Sequence, residues 1–246
     1  MNKCDFTILN FDSIDSTSTY LKRTYKEQKD LTMVFASYQT MGHGRMKRVW
    51  VSPKGESLLF SILFKNKNII DNFSSLSLLG AVTVFRFLSK YVSNVSIKWP
   101  NDVYVNNKKI CGILLESISY NEGIEALVIG IGININTKNY PSELMNKATS
   151  LYLETNKTFD LEVLKDDLRP FLEEMVNLII NNDKGYLEIV RNNNYLKNKV
   201  VKAIINEKEE EVVVLDINDD NTLLVKKDNK TYSLSMGEVT LHDFVT

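Results

Sequence analysis

The sequence predicts an α+β fold: a mixed β-sheet flanked by helices, followed by a small C-terminal β-barrel. Two patterns carry that prediction. Up to about residue 135, short strand-like runs alternate with longer helix-like ones, as expected of helices packed on a sheet. From Lys199 onward only short β-rich runs recur, separated by Asn, Asp and Lys turns, which suits a barrel of about 50 residues. A length of 246 residues accommodates both, and a composition shift near residue 195 places the boundary between 1–195 and 196–246.

Residues 6–11 read as the first strand, 17–28 as a helix and 33–39 as the second strand. The apolar, aromatic run 58–64 lies between Pro53-Lys54-Gly55 and Lys65-Asn66-Lys67-Asn68, the punctuation of a buried strand. Residues 76–91 are apolar around most of the circumference, as in a helix packed on a sheet. Segments 102–105 and 108–116 form a hairpin across Asn106-Asn107, because Asn tolerates the positive φ of a tight turn. Residues 124–135 supply the next strand, which enters from the Asn121-Glu122-Gly123 turn. Leu161, Leu164, Leu168, Phe171, Met175 and Leu178 recur at spacings of three and four, predicting a helix over 161–180 with Asp160 as its N-cap. The barrel runs are 200–205, 211–215, 223–226 and 231–234.

With 30 Lys+Arg against 31 Asp+Glu, the net charge of -1 argues against a globally basic nucleic-acid binder. Cys4 and Cys111 form no CxxC pair, so a disulfide scaffold and a thiolate zinc site are not expected, and a reducing cytoplasm is the expected setting. His43 and His242 are too few for an imidazole cage. No apolar run reaches the ~18 residues of a membrane helix, and the start lacks the apolar core of a signal peptide, so no membrane partner is expected.

Three segments carry chemistry. Across residues 36–55 the positive residues are Arg45, Lys47, Arg48 and Lys54, with no acidic residue. Gly42 and Gly44 within that stretch let backbone N–H groups approach an anion, and guanidinium groups add forked hydrogen bonds. On this stretch alone two readings stay open, a loop that closes over phosphates or a carboxylate and a solvated surface loop. Neither GxGxxG nor GxxxxGK[ST] occurs, and Gly130-Ile131-Gly132 also fails the first pattern. In Lys98-Trp99-Pro100-Asn101-Asp102 the proline is expected to hold an extended chain, and Asn-Asp suits either a hydrated cation or a turn. In the third segment, residues 108–116, lysines precede an apolar strand interrupted by Gly112, a place where a ligand or another backbone can come close.

Taken in order, Asp15-Ser16-Thr17, Gln39 followed by the 42–50 loop, KWPND at 98–102, KKICGILLE at 108–116 and GIGININ at 130–136 resemble the motifs of biotin protein ligases. Gly237-Glu238-Val239 resembles the end of their small barrel, so the likeness runs over nearly the whole chain. The resemblance implies a catalytic domain like those of class II synthetases with an SH3-like C-terminal barrel. It further implies a two-step reaction: biotin and ATP give biotinyl-5′-adenylate, and the biotinyl group then passes to a lysine of a biotin carboxyl carrier protein.

Carried over motif by motif, Ser16, Thr17, Ser18 and Gln39 would contact the biotin rings, and His43, Gly44, Arg45 and Gly112 would line the biotin and adenylate site. Lys109 would hold the carboxylate and the α-phosphate, with Arg45 and Asp102 as its catalytic companions. Arg48 and Asn101 would face the phosphates, Asp102 a Mg²⁺ held largely through those phosphates, Asn134 the adenine, and Trp50 would close on the adenylate.

Most members of that family carry arginine where His43 stands, and imidazole, with an unperturbed pKa near ~6.5, lacks much of that charge at neutral pH. The change is mild if the family's arginine acts through its backbone and weakens adenylate retention if its side chain matters. Bifunctional members carry a winged helix-turn-helix ahead of the ligase; the first strand here ends near Phe11, so a monofunctional ligase without sequence-specific DNA binding is expected. Rival readings are a lipoate or octanoate protein ligase, whose RRxxGGG-like segment is missing, and a non-catalytic biotin-binding regulator. The sequence leaves open the carrier modified, monomer against homodimer, and the base for the acceptor lysine.

Overall fold

The structure, a computed structural model, describes residues 4–235 apart from 122, 206 and 207; the side chain of Lys47 is likewise outside it. The chain builds one large mixed sheet from β1 (Thr7–Phe11), β2 (Thr32–Ala36), β3 (Ser57–Phe64), β4 (Val95–Lys98), β5 (Asp102–Val105), β6 (Lys108–Tyr120) and β7 (Gly123–Asn134). Their order is β1-β2-β3-β7-β6-β5-β4. β1 runs parallel to β2 and every other neighbouring pair is antiparallel, as the hairpin turn at Asn106 and Asn107, both at positive φ, requires.

Period two sorts β3 into two faces. Leu58, Phe60, Ile62 and Phe64 join the main core with Ile129, Ile131 and Ile133 of β7, under α3 (Leu76–Leu88) and α5 (Leu161–Ile180). Leu63, on the opposite face, meets Val34, Val128 and Leu21 of α1 (Thr17–Thr24). Since α1 is only two turns long, it covers part of that face and leaves the remainder as the floor of a cleft. The N-cap of α5 is Asp160, whose Oδ1 accepts from the N–H groups of Glu162 and Val163.

Three expectations are corrected. The first helix ends at Thr24 rather than 28: Thr24 Oγ1 donates to Tyr20 O at 2.9 Å, a local bond that competes with helix continuation, and the chain turns. The hairpin strand predicted over 108–116 continues to Tyr120, because its partner β7 accompanies it that far. Trp99-Pro100, read as extended, instead forms a turn between β4 and β5 through a cis peptide. Short helices escaped the sequence patterns altogether: α2 (Lys67–Asp71), α4 (Leu151–Thr155) and α6 (Tyr186–Asn192) show less than two helical turns each, and four-residue β4 was missed as well.

β8 (Val200–Ile205), β9 (Lys208–Ile217), β10 (Leu223–Lys227) and β11 (Lys230–Leu234) form a separate antiparallel sheet in the order β11-β10-β9-β8. Residues 237–239, read as the end of the barrel, and His242 lie outside the described residues. The small sheet is anchored at Asn221, at the turn before β10. Its carbonyl accepts from Trp99 Nε1 at 2.9 Å, and its Oδ1 accepts from Tyr186 OH at 2.5 Å. Trp99 is thus buried with its indole N–H satisfied. Among the described residues no helix is long and apolar enough to cross a membrane.

Candidate active site

The uncovered face of the large sheet is the floor of a cleft of about 680 Å³, and every residue to which the family resemblance gives a site role lines it. That volume suits a ligand of nucleotide or cofactor size. One wall is the first turn of α1. Ser16 is the helix N-cap, and its backbone N–H donates to Asp15 Oδ1 at 2.8 Å. Gln39 Oε1 accepts from Thr17 N at 2.8 Å and from Thr17 Oγ1 at 3.1 Å. Ser61 of β3 is 2.7 Å from Thr17 Oγ1 and 2.9 Å from Ser18 Oγ, which closes a network of hydroxyl and amide groups over an apolar strand. Ser61 was not selected from the sequence, although a lone hydroxyl inside the run 58–64 was a signal for it.

The floor is made by two glycines that face each other across β6 and β7, Gly112 and Gly132. The Trp50 indole lies on them. A Cβ on Gly132 would stand 2.7 Å from Trp50 Cε2, and one on Gly112 would stand 2.9 Å from Trp50 Cζ3, so only glycine leaves room for the ring. Trp50 Nε1 is buried there and finds no hydrogen-bond partner among the described residues. A buried donor without a partner is costly, and a polar ligand atom in the cleft would remove that cost.

Lys109 reaches the same floor by a β-bulge. β5 pairs Asp102 with Gly112 and Val103 with Cys111, but Tyr104 with Lys109, so Ile110 is the extra residue. Three positions apart in a regular strand, Lys109 and Gly112 would face opposite ways; the bulge brings both to the cleft. The backbone of Lys109 is then held from the other side, its N–H donating to Lys147 O at 2.8 Å and its C=O accepting from Thr149 N at 2.9 Å. Its Nζ lies 2.7 Å from Asp102 Oδ1.

The turn after β4 presents Asn101 and Asp102. Asn101 is fixed by two bonds to Ile113: its Nδ2 donates to Ile113 O at 2.5 Å, and its own carbonyl accepts from Ile113 N at 2.9 Å. Arg45 Nη1 donates to Asn101 Oδ1 at 3.3 Å from across the cleft. Asn134, at the end of β7, donates from Nδ2 to Thr149 O at 3.0 Å.

The loop itself is ordered by a bridge between His43 and Val49, by Gly44 N donating to Arg48 O at 2.8 Å and by Trp50 N donating to Gly42 O at 3.0 Å. Of its predicted cations, Arg45 and Arg48 face the cleft, whereas Lys54 turns away to pair with Asp12 at 2.6 Å. Two further cations line the site without having been selected, Lys98 and Lys147. Lys98 stands in a quoted motif; Lys147 had no sequence signal, because only the long-range contact with Lys109 brings it near. Among the described residues Arg45, Arg48, Lys98, Lys109 and Lys147 face one lining carboxylate, Asp102, so this lining attracts anions.

Cys111 sits beside Lys109 but is no nucleophile. Burial pushes its thiol well above the ordinary range; Lys109 partly opposes this and Asp102 adds to it. In the folded protein Cys111 should therefore resist a thiol-specific reagent that modifies both cysteines in guanidinium chloride. Rapid labelling of Cys111 in the native state, followed by mass spectrometry, would contradict its placement.

Comparison with known proteins follows the same outline. Residues 10–134 match the model of the biotin/lipoate A/B protein ligase family. The bifunctional ligase/repressor BirA of Bacillus subtilis (strain 168) is 37% identical over 132 residues, covering 52% of this chain and 41% of that protein. BirA of Escherichia coli (strain K12) is 29% identical over 230 residues, covering 93% and 72%. The biotin protein ligase from Aquifex aeolicus, solved in complex with biotin and ATP, superposes with a TM-score of 0.85 at 27% identity, covering 96% of this chain and 98% of that one.

Proposed function

Because the chain belongs to the biotin/lipoate A/B protein ligase family, we propose that it activates biotin with ATP to biotinyl-5′-adenylate and transfers the biotinyl group to a lysine of a biotin carboxyl carrier protein. Residues 1–195 are read as the catalytic domain and 196–246 as an SH3-like domain, a division supported by the separate sheet that begins at Val200.

The observation that carries this reading is the placement of Lys109. It lines one cleft together with a neutral nest of hydroxyl and amide groups at Ser16, Thr17, Ser18 and Gln39 and with a charged group at Arg45, Asn101 and Asp102, to the last of which it is paired. A substrate with a neutral ureido ring at one end and a carboxylate at the other matches that polarity. In the first step a biotin carboxylate oxygen bonds to the α-phosphorus of ATP, the bond to the bridging oxygen of the β-phosphate breaks, and pyrophosphate leaves. In the second the carrier amine bonds to the acyl carbon, the bond to AMP breaks, and the amine gives up a proton.

The first step brings an anion against a polyanion. Two unit charges ~4 Å apart repel by about 4 kcal/mol at an effective dielectric of ~20. Lys109 stands where the carboxylate and the α-phosphate would meet, and Arg45 and Arg48 approach from the loop to offset that repulsion as the bond forms. Trp50, with its free donor, covers the floor and would help exclude water from a mixed anhydride that hydrolyses readily.

Among the described residues no group of three or more His, Cys, Asp or Glu side chains could hold a metal ion. The one lining carboxylate, with the adjacent Asn101, fits a Mg²⁺ that is carried mainly by the triphosphate. Asp102 and Asn101 would hold that ion, whose contribution when bound is charge neutralisation on the phosphates.

Exchange of labelled pyrophosphate into ATP tests the reading. It should depend on biotin, and labelled biotin should then appear on a purified carrier domain. Exchange that depends on lipoate would assign the chain to the lipoate branch, and no exchange with either acid would make it a non-catalytic binder.

A further inference from the structure

Glu116 lies on the cleft face of β6, two and four residues beyond Leu114 and Gly112 in the alternation that lines the floor. It is the last residue of the 108–116 segment. Its two oxygens serve two different elements. Oε1 accepts from Lys22 Nζ at 2.7 Å, which ties β6 to α1 four residues after Ser18. Oε2 faces His43 Nε2 at 3.8 Å, while His43 Nδ1 lies 3.3 Å from the carbonyl of Met41 in its own loop.

Oε2 is buried and has no hydrogen-bond donor within reach among the described residues. A carboxylate oxygen in that state is expensive, and the group able to relieve it is His43, whose approach by about 1 Å would make a hydrogen bond. That movement is a movement of the 42–50 loop toward the floor. The carboxylate therefore attracts the loop in the direction that covers the cleft, and its other oxygen holds the helix that carries the hydroxyl wall.

We propose that Glu116 is a positioning residue that latches the cationic loop through His43 and braces α1 through Lys22, so that one carboxylate sets the spacing of both walls around the ligand. It touches neither substrate in this role. The proposal rests on the reading of this cleft as the ligase site, and its meaning for adenylate retention follows from that reading. Its geometry does not, and is tested on the ligand-free protein.

The readout is the rate at which trypsin cuts the loop after Arg45 or Arg48, resolved by mass spectrometry, in the whole protein. Glu116→Gln and His43→Gln should each speed that cut by about 1.5- to 5-fold, the scale of a partly exposed polar contact to a charged group. The double variant should be cut no faster than either single one, because both remove the same contact. Cleavage elsewhere in the chain should be unchanged, which separates loss of the latch from general loosening. In the exchange assay the same variants should raise the KM for the acid substrate more than they lower kcat. A Glu116→Gln loop cut at the parent rate, or a double variant in which the two effects multiply, would overturn the latch. If Glu116→Gln fails to fold, His43→Gln, a change in a surface loop, decides alone: parent-rate cleavage there overturns it.

Discussion

Replacement of Lys109 by alanine should lower biotin-dependent pyrophosphate exchange by about 100- to 1,000-fold, the usual cost of removing one preorganised charge from a developing anion. The fold should survive. The Lys109–Asp102 pair is partly exposed, with side-chain exposures of 32% and 18%, so its loss touches a site rim rather than the core. The bulge that aims position 109 is held by backbone bonds to Lys147 and Thr149, which alanine keeps. Since the charge acts on the bond-forming step, kcat should fall more than KM rises. Arginine should not restore the rate. The Lys109 Cε and Nζ already lie 3.1 Å from where a Cβ on Gly112 would be, which leaves little space for a wider planar head. Parent-like exchange by a folded Lys109→Ala protein would remove this residue from the chemistry.

Gly132→Val should likewise separate function from stability. Valine suits a strand better than glycine, and the unfolded chain loses some freedom, so the urea midpoint should hold or rise slightly. The new Cβ would stand 2.7 to 3.0 Å from three atoms of the Trp50 indole, a rigid ring that cannot yield by rotating one end. The ring must lift from the floor, taking with it the loop whose backbone it joins through Trp50 N and Gly42 O. Displacements of about 1 Å in a reacting geometry can cost about 100-fold in rate, and that is the loss expected in exchange. Gly123→Val, where nothing lies within 4 Å of the added Cβ, should leave exchange unchanged. Full activity in Gly132→Val would mean that the glycine shelf does not shape the site.

Long elements were legible in the sequence because their patterns repeat. The helix around Leu164, Leu168 and Met175 shows five turns of one stripe, and the buried run 58–64 is apolar apart from Ser61. Short pieces such as α2 and α4, five residues each, offer less than two helical turns of pattern. The site divides along the same line. The loop and the motifs around Asn101 and Lys109 were visible as residue types in order. Ser61, Glu116 and Lys147 were not selected, because each joins the site through a partner distant in sequence: Thr17, Lys22 and Lys109.

The surplus residue at Ile110 has a consequence for how such a chain can change over generations. Its side chain is fully buried in the core, so other apolar residues of similar size can replace it without moving Lys109. Removing the residue would leave Lys109 and Gly112 two positions apart in a strand of strict alternation, so the bulge would vanish and both would still face the cleft. Descent can therefore alter what stands at position 110 freely within one chemical class. It can also shorten the spacing between the lysine and the glycine by that one residue, because the bulge disappears with it and the ammonium group stays on the cleft side.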